Sequence, residues 1–208
     1  MIIELQNLKP RYMSESEVAG SDIYLQPCVR FERGRKYMVC ARSGHGKTSL
    51  LNFIYGASLQ YDGTVSYGEP VASPFDLRLR RLSYLFQDLA LFPELTALEN
   101  VQLKNNLTHH KSEADLEAML CSLLPTGKLH QPLRTLSLGQ RQRVAAVRAL
   151  CQPFEFLLMD EPFSHLDRAS SQAVAALVLR EVEAQQAALI VTALDPTDLF
   201  PFDVTLNL

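Results

Sequence analysis

The run Ala41-Arg42-Ser43-Gly44-His45-Gly46-Lys47-Thr48 concentrates two glycines, a lysine and a hydroxyl in one short stretch. Glycines let successive backbone amides turn toward a common anion, and a lysine beyond them adds a mobile positive charge. A threonine hydroxyl next to that lysine suits magnesium, a hard cation that takes oxygen ligands and keeps several waters. Far along the chain, Asp160-Glu161-Pro162 follows the apolar run Phe156-Leu157-Leu158-Met159. Two adjacent carboxylates at the end of a buried strand supply a metal ligand and a group that orients or deprotonates water. Taken together, the two segments have the parts needed for phosphoryl transfer to water. Each also has a plainer reading: a glycine turn with a solvated lysine, and a strand followed by acidic loop residues.

Elements must bring these parts together. Lys36-Tyr37-Met38-Val39-Cys40 reads as a short buried strand, Ala41 to Gly46 as a loop, and Lys47 onward as a helix. That order matches the phosphate-loop pattern, except that Ala41 stands where its first glycine falls. If that position required a positive φ, a Cβ there would cost about 1 kcal/mol. Strand-like stretches at Ile2 to Leu8 and Ile23 to Phe31 flank a polar segment, Met13 to Ser21, so the opening reads as β. Asp62-Gly63 predicts a hairpin turn and Leu82 to Phe86 a further buried strand. Glu94 to Leu150 is largely helical in pattern, interrupted at Pro125-Thr126-Gly127 and Pro132. Phe154 to Met159 and Ala188 to Thr192 read as strands around an amphipathic helix, Ser170 to Ala187. Strands alternating with helices predict an α/β fold with a parallel sheet.

Composition narrows the classes. The 208 residues, 47% hydrophobic and 21% charged, suit one domain with a single substantial core. With 20 Lys+Arg against 23 Asp+Glu, net −3, the chain has no general attraction for nucleic acid or anionic lipid. Cys28, Cys40, Cys121 and Cys151 lie too far apart for a metal knuckle or dithiol motif, which fits a reducing compartment. The start, Met1-Ile2-Ile3-Glu4-Leu5, has no basic leader, and no apolar run reaches the roughly 18 residues that span a bilayer. A soluble, unexported chain is expected.

Between the two chemical segments lies Leu136-Ser137-Leu138-Gly139-Gln140-Arg141-Gln142-Arg143, and here the sequence resembles the ABC (ATP-binding cassette) ATPases. Their signature is commonly Leu-Ser-Gly-Gly-Gln, so Leu138 departs from it while Ser137, Gly139 and Gln140 agree. Further similarities fall in order: Gln87 matches the Q-loop glutamine, Leu91-Phe92-Pro93-Glu94-Leu95-Thr96 and Glu99-Asn100-Val101 resemble transporter-type members, and Ser164-His165-Leu166-Asp167 resembles the D-loop. The resemblance runs from about Ile2 to Asp195.

The resemblance implies a P-loop NTPase sheet core, an amino-terminal antiparallel β subdomain and a helical insert, with residues 1–87 and 152–208 as core and 88–151 as insert. It implies ATP and Mg2+ as ligands. Ser43, Gly44, His45, Gly46, Lys47, Thr48 and Ser49 would surround the nucleotide, Thr48, Gln87 and Asp160 would hold the metal, and Glu161 and Gln87 would serve catalysis. Tyr12 is the candidate for stacking on adenine, with Tyr24 its competitor and a core tyrosine the third possibility. Ser137, Gly139 and Gln140 would meet the nucleotide of a second subunit in an ATP-dependent homodimer or heterodimer, with Asp167 crossing the interface. A membrane permease on another chain would be the partner and no nucleic acid is expected, which places the subunit in the cytoplasm on the inner face of the membrane. Ala193 occupies the slot of the histidine that contacts the γ-phosphate, which predicts hydrolysis that is slow or relies more heavily on Glu161 and on a partner. Many members carry helices beyond the last strand, and none follows here before Leu208. The function classes left open are a transporter or mechanotransducing ATPase subunit, a degenerate ATP-binding regulator with little hydrolysis, and a soluble non-transport ABC ATPase.

Overall fold

The computed structural model describes residues 1–68, 73–125 and 127–208; Thr126, part of one expected helix interruption, lies outside them. Two sheets organise the described residues. The first is antiparallel, with β1 (Ile2–Pro10) between β2 (Val29–Glu32) and β4 (Tyr61–Ser66). The second is parallel and joins β3 (Lys36–Cys40), β5 (Leu82–Leu85), β6 (Phe156–Asp160), β7 (Ala188–Ala193) and β8 (Val204–Asn207) in the order β5-β6-β7-β3-β8. Because β3 and β6 both flank β7, the loop after β3 and the acids after β6 open on the same carboxyl edge. Open α/β sheets bind ligands at that edge.

Helix α1 (Lys47–Tyr55) follows β3; α2 (Ala97–Asn105), α3 (Glu113–Leu123) and α4 (Leu138–Ala149) occupy the middle of the chain; α5 (Arg168–Ala184) links β6 to β7. Strands β5, β6 and most of β7 are buried along their length, as expected of a sheet covered on both faces. One apolar cluster on the α4 and α5 side includes Leu116, Val147, Leu157, Val178 and Leu189. The other, on the α1 side, joins Leu50 and Ile54 to Phe156 and Ile190 and continues into the antiparallel sheet through Ile3, Leu5 and Phe31.

Three local expectations need correction. Asp62-Gly63 is no hairpin turn but lies inside β4, opposite the register shift between Gln6 and Lys9. Gly63 has φ +93°, and a Cβ there would run into the carbonyl oxygens of Gln6 and Asn7, so the glycine serves a bulge. The strand expected over Ile23 to Phe31 forms only from Val29, because Leu25 takes φ +59° and Pro27 has no amide to donate. Ile23 and Tyr24 are buried all the same, beneath α1. Third, β8 lies beyond the elements read from the sequence; its alternating exposed and half-buried residues form an edge strand against β3.

Candidate nucleotide-binding site

The loop after β3 keeps its shape through backbone conformation. Gly44 and Gly46 have φ of +83° and +87°, where a side chain would be strained. Ala41 takes no positive φ among the described residues, and its amide donates to Ala193 O at 3.2 Å, extending the β3–β7 ladder by one step. The missing glycine therefore costs nothing here. Beneath the loop, the buried Tyr24 hydroxyl donates to Gly46 O at 2.8 Å, and a Cβ on Gly46 would sit 2.9 Å from the Tyr24 hydroxyl oxygen. Burial pushes the Tyr24 hydroxyl far above the ordinary phenol range, so it stays a donor. This role excludes Tyr24 as a stacking platform.

Lys47 is 5% exposed. Its ammonium donates to Ala41 O at 2.6 Å and Arg42 O at 3.0 Å and pairs with Glu161 Oε1 at 3.2 Å. Thr48 Oγ1 donates to Asp160 Oδ2 at 2.6 Å and lies 3.2 Å from Gln87 Oε1. The other Asp160 oxygen accepts from Thr192 Oγ1 at 2.6 Å. Burial raises the Asp160 pKa, opposed by the hydroxyls of Thr192 and Thr48 and by the nearby Lys47 charge. A buried carboxylate held above its usual range lacks sufficient positive charge nearby. A divalent cation at the meeting point of Thr48, Gln87 and Asp160 would supply it, and an all-oxygen set is what magnesium takes. The residues therefore fit that ion.

Tyr12, Ser43, Gly44, Gly46, Lys47, Thr48, Ser49, Gln87 and Glu161 line one cleft of about 190 Å³. Tyr12 is 63% exposed at its rim, with its hydroxyl bonded to that of Ser49. His45 faces outward, its Nδ1 3.1 Å from Ser43 O, and does not line the cleft. Ser137, Gly139 and Gln140 are not brought to it either. They begin α4, where Ser137 Oγ accepts from Gln140 N at 3.2 Å and Gln140 Oε1 from Ser137 N at 3.0 Å. Asp167 caps α5 by accepting from Ser170 N at 2.7 Å. Beyond Glu161, a recess of about 180 Å³ is bordered by Phe163, Thr192, Ala193 and Thr197, with no imidazole at position 193.

Sequence reading missed Thr192, which binds the Asp160 carboxylate and also accepts from Glu161 N at 3.2 Å through Oγ1. A threonine inside an apolar strand is the one signal for it. Gln142 was also missed; its buried side chain reaches Pro162 O at 2.6 Å.

Comparison with known proteins identifies relatives of this arrangement. A family described as ABC transporter matches residues 27–164. The chain is 33% identical over 202 residues to the lipoprotein-releasing system ATP-binding protein LolD of Porphyromonas gingivalis, covering 92% of this chain and 90% of that one. It is 34% identical over 186 residues to the glucose import ATP-binding protein GlcV of Saccharolobus solfataricus, covering 83% of this chain and 51% of the relative, so it spans about half of that protein. Among solved structures, the dimeric bacterial ABC transporter cassette MJ0796 superposes with a TM-score of 0.80 at 24% identity, over 99% of this chain and 94% of that one. A post-hydrolysis dimer of the same cassette, bound to ADP and Pi, gives 0.75 at 24% identity, over 93% and 88%. These two likenesses show a shared fold. Among the described residues, no helix is long and apolar enough to cross a membrane.

Proposed function

The chain belongs to the ABC transporter family, and from that premise we propose that it is the ATP-binding and hydrolysing subunit of a membrane transport complex. It couples ATP-driven closure of a dimer to a permease on a separate chain, from the cytoplasmic face of the membrane. The observation that carries this reading is the contact network in which Lys47 meets Glu161 while Thr48 meets Asp160 and Gln87. Residues 1–87 and 152–208 act as the core and 88–151 as a helical subdomain.

The loop amides from Gly44 to Lys47 and the positive end of α1 receive the terminal phosphates, flanked by Ser43 and Ser49. Tyr12 stacks on the base at the rim. Thr48, Gln87 and Asp160 would hold magnesium, which would neutralise negative charge on the phosphates. Phosphate entering the cleft competes for the Lys47 ammonium, which frees the Glu161 carboxylate to orient water and accept its proton. Ser137, Gly139 and Gln140 face the nucleotide bound by a second subunit. Since Ala193 brings no imidazole to the site, hydrolysis is slow and rests on Glu161 and Gln87. The sequence relatives include a glucose import ATP-binding protein and a lipoprotein-releasing system ATP-binding protein, and the cargo is chosen by the permease.

Calorimetry with Mg-ATP tests the reading. Wild type and Glu161→Gln should bind, Lys47→Ala should not, and EDTA should silence turnover; no heat with wild type would sink the proposal. Ala193→His should raise turnover severalfold, about the scale of one net hydrogen bond to the reacting phosphate, and an unchanged rate would remove the slow-hydrolysis assignment.

A further inference from the structure

Glu161 has φ +47°, a conformation that a non-glycine residue keeps only when its surroundings hold it there. On the β7 side its amide donates to Thr192 O and Thr192 Oγ1, both at 3.2 Å. On the other side the Glu161 carbonyl accepts from Ser164 N at 3.3 Å within the turn, and a side chain from α4 fastens the turn to that helix. Gln142, 2% exposed, donates through Nε2 to Pro162 O at 2.6 Å and to Glu161 O at 3.4 Å, and its Oε1 accepts from His165 N at 3.3 Å. Both ends of one amide are thus spent on the turn that carries the carboxylate. One helical turn earlier, a Cβ on Gly139 would stand 2.9 Å from His165 O, so the backbone of α4 also lies against that turn.

We propose that Gln142 is a positioning residue for hydrolysis, fastening the Glu161 turn to α4 so that movement at the Ser137–Gln140 end of the helix displaces the Glu161 carboxylate. The proposal rests on the reading above, in which Glu161 orients water and the start of α4 meets the second subunit's nucleotide. Under it, docking of that nucleotide and alignment of this subunit's own Glu161 are one mechanical event. The side chain must both donate and accept at this reach, which glutamine does at any pH and a glutamic acid only when protonated.

The test uses the full chain as wild type, Gln142→Leu and Gln142→Glu, following turnover at saturating Mg-ATP and the affinity for a fluorescent ATP analogue. Gln142→Leu should lose about ten- to a hundredfold in kcat, the scale of a misplaced catalytic group, with affinity held within about twofold. In Gln142→Glu a carboxylate cannot donate to either carbonyl, whereas the protonated acid can donate its one O–H to Pro162 O, the shorter of the two contacts. Burial raises the pKa of a carboxyl, so its turnover should be as low as that of Gln142→Leu near pH 8 and recover severalfold near pH 6, relative to wild type. Wild-type turnover in Gln142→Leu, a parallel loss of affinity and kcat, or a wild-type pH profile in Gln142→Glu would each overturn the assignment. A wild-type chain that binds ATP without turnover would instead bring down the hydrolytic reading. Crystal structures of wild type and Gln142→Leu then decide the positioning role: a Glu161 backbone that relaxes from its positive φ supports it, and an unmoved one overturns it.

Discussion

Two helix starts in this molecule are built in opposite ways. Helix α1 begins at Gly46, which has no side chain to cap it, and there is no acidic residue in its first turn. Helix α4 begins at Ser137, whose side chain and that of Gln140 satisfy each other's backbone amides in a closed capping box. The first-turn amides of a helix carry partial positive charge and need acceptors. At α1 the chain leaves that role to something outside itself, and at α4 it fills the role internally. Helices α2 and α3 have capping boxes and α5 has its Asp167 cap, so α1 is the exception among the five. The same contrast runs through the groups behind each start. Behind α1 stands a buried aspartate whose pKa is raised by burial, while the residues of the α4 start are exposed or partly exposed.

The sharpest way to break this contrast is Asp160→Asn. The folded carboxyl has a raised pKa, so its ionised form is disfavoured in the folded state relative to the unfolded chain. The stability linked to Asp160 is therefore full below its unfolded pKa and falls as pH rises through the folded value. Removing the charge should leave the nucleotide-free protein as stable at neutral pH as wild type or more so, with the difference closing as the buffer is taken into the acid range. Mg-dependent turnover should meanwhile fall by about a hundredfold or more, since the proposed magnesium site would lose its carboxylate. Melting curves across pH and an ATPase assay read the two effects separately. A large loss of stability at neutral pH would mean that the α1 side is as self-sufficient as the α4 side.

A smaller effect is expected from Ser137→Ala at the other helix. Loss of the cap should cost about 1 kcal/mol of stability, while the affinity of a single subunit for Mg-ATP stays as in wild type, because Ser137 does not line the cleft. Hydrolysis that depends on protein concentration, the mark of a shared site between subunits, should fall. If binding by dilute protein weakened together with it, the two helix starts would not be separate halves of two sites.

How much of this was legible in the sequence follows the range of each interaction. The glycine loop and the acid pair could be read because their elements are local: a buried strand, a tight loop, and a helix or proline within a few residues. The parallel sheet followed from the alternation of strands and helices. Thr192, Tyr24 and Gln142 were not legible, since each acts on a residue 19 to 32 positions away or on a main-chain carbonyl. Nothing in a local window separates a threonine that grips a carboxylate from one that merely suits a strand. Asp62-Gly63 misled for a related reason: the dipeptide does favour positive φ, but the crowding of Gln6 and Asn7 turned that preference to a bulge.

The smallest expected effect concerns the side chain that clasps the Gly46 carbonyl at the α1 start. A trans peptide points its C=O and N–H in opposite directions, so whatever holds Gly46 O inward aims the Lys47 amide outward toward the cleft. Gly46 O accepts both from Leu50 N at 2.9 Å and from the Tyr24 hydroxyl at 2.8 Å. Tyr24→Phe removes only the second bond and keeps the buried ring. It should cost about 1 kcal/mol of stability and weaken Mg-ATP binding by a fewfold, with little change in turnover at saturating nucleotide. Tyr24 is a group whose hydroxyl stays protonated, so the difference from wild type should not depend on pH between about 6 and 9. An unaltered affinity would show that the helical bond from Leu50 alone aims the amide, and that the uncapped start of α1 is held by its own helix rather than by the strand-linking segment beneath it.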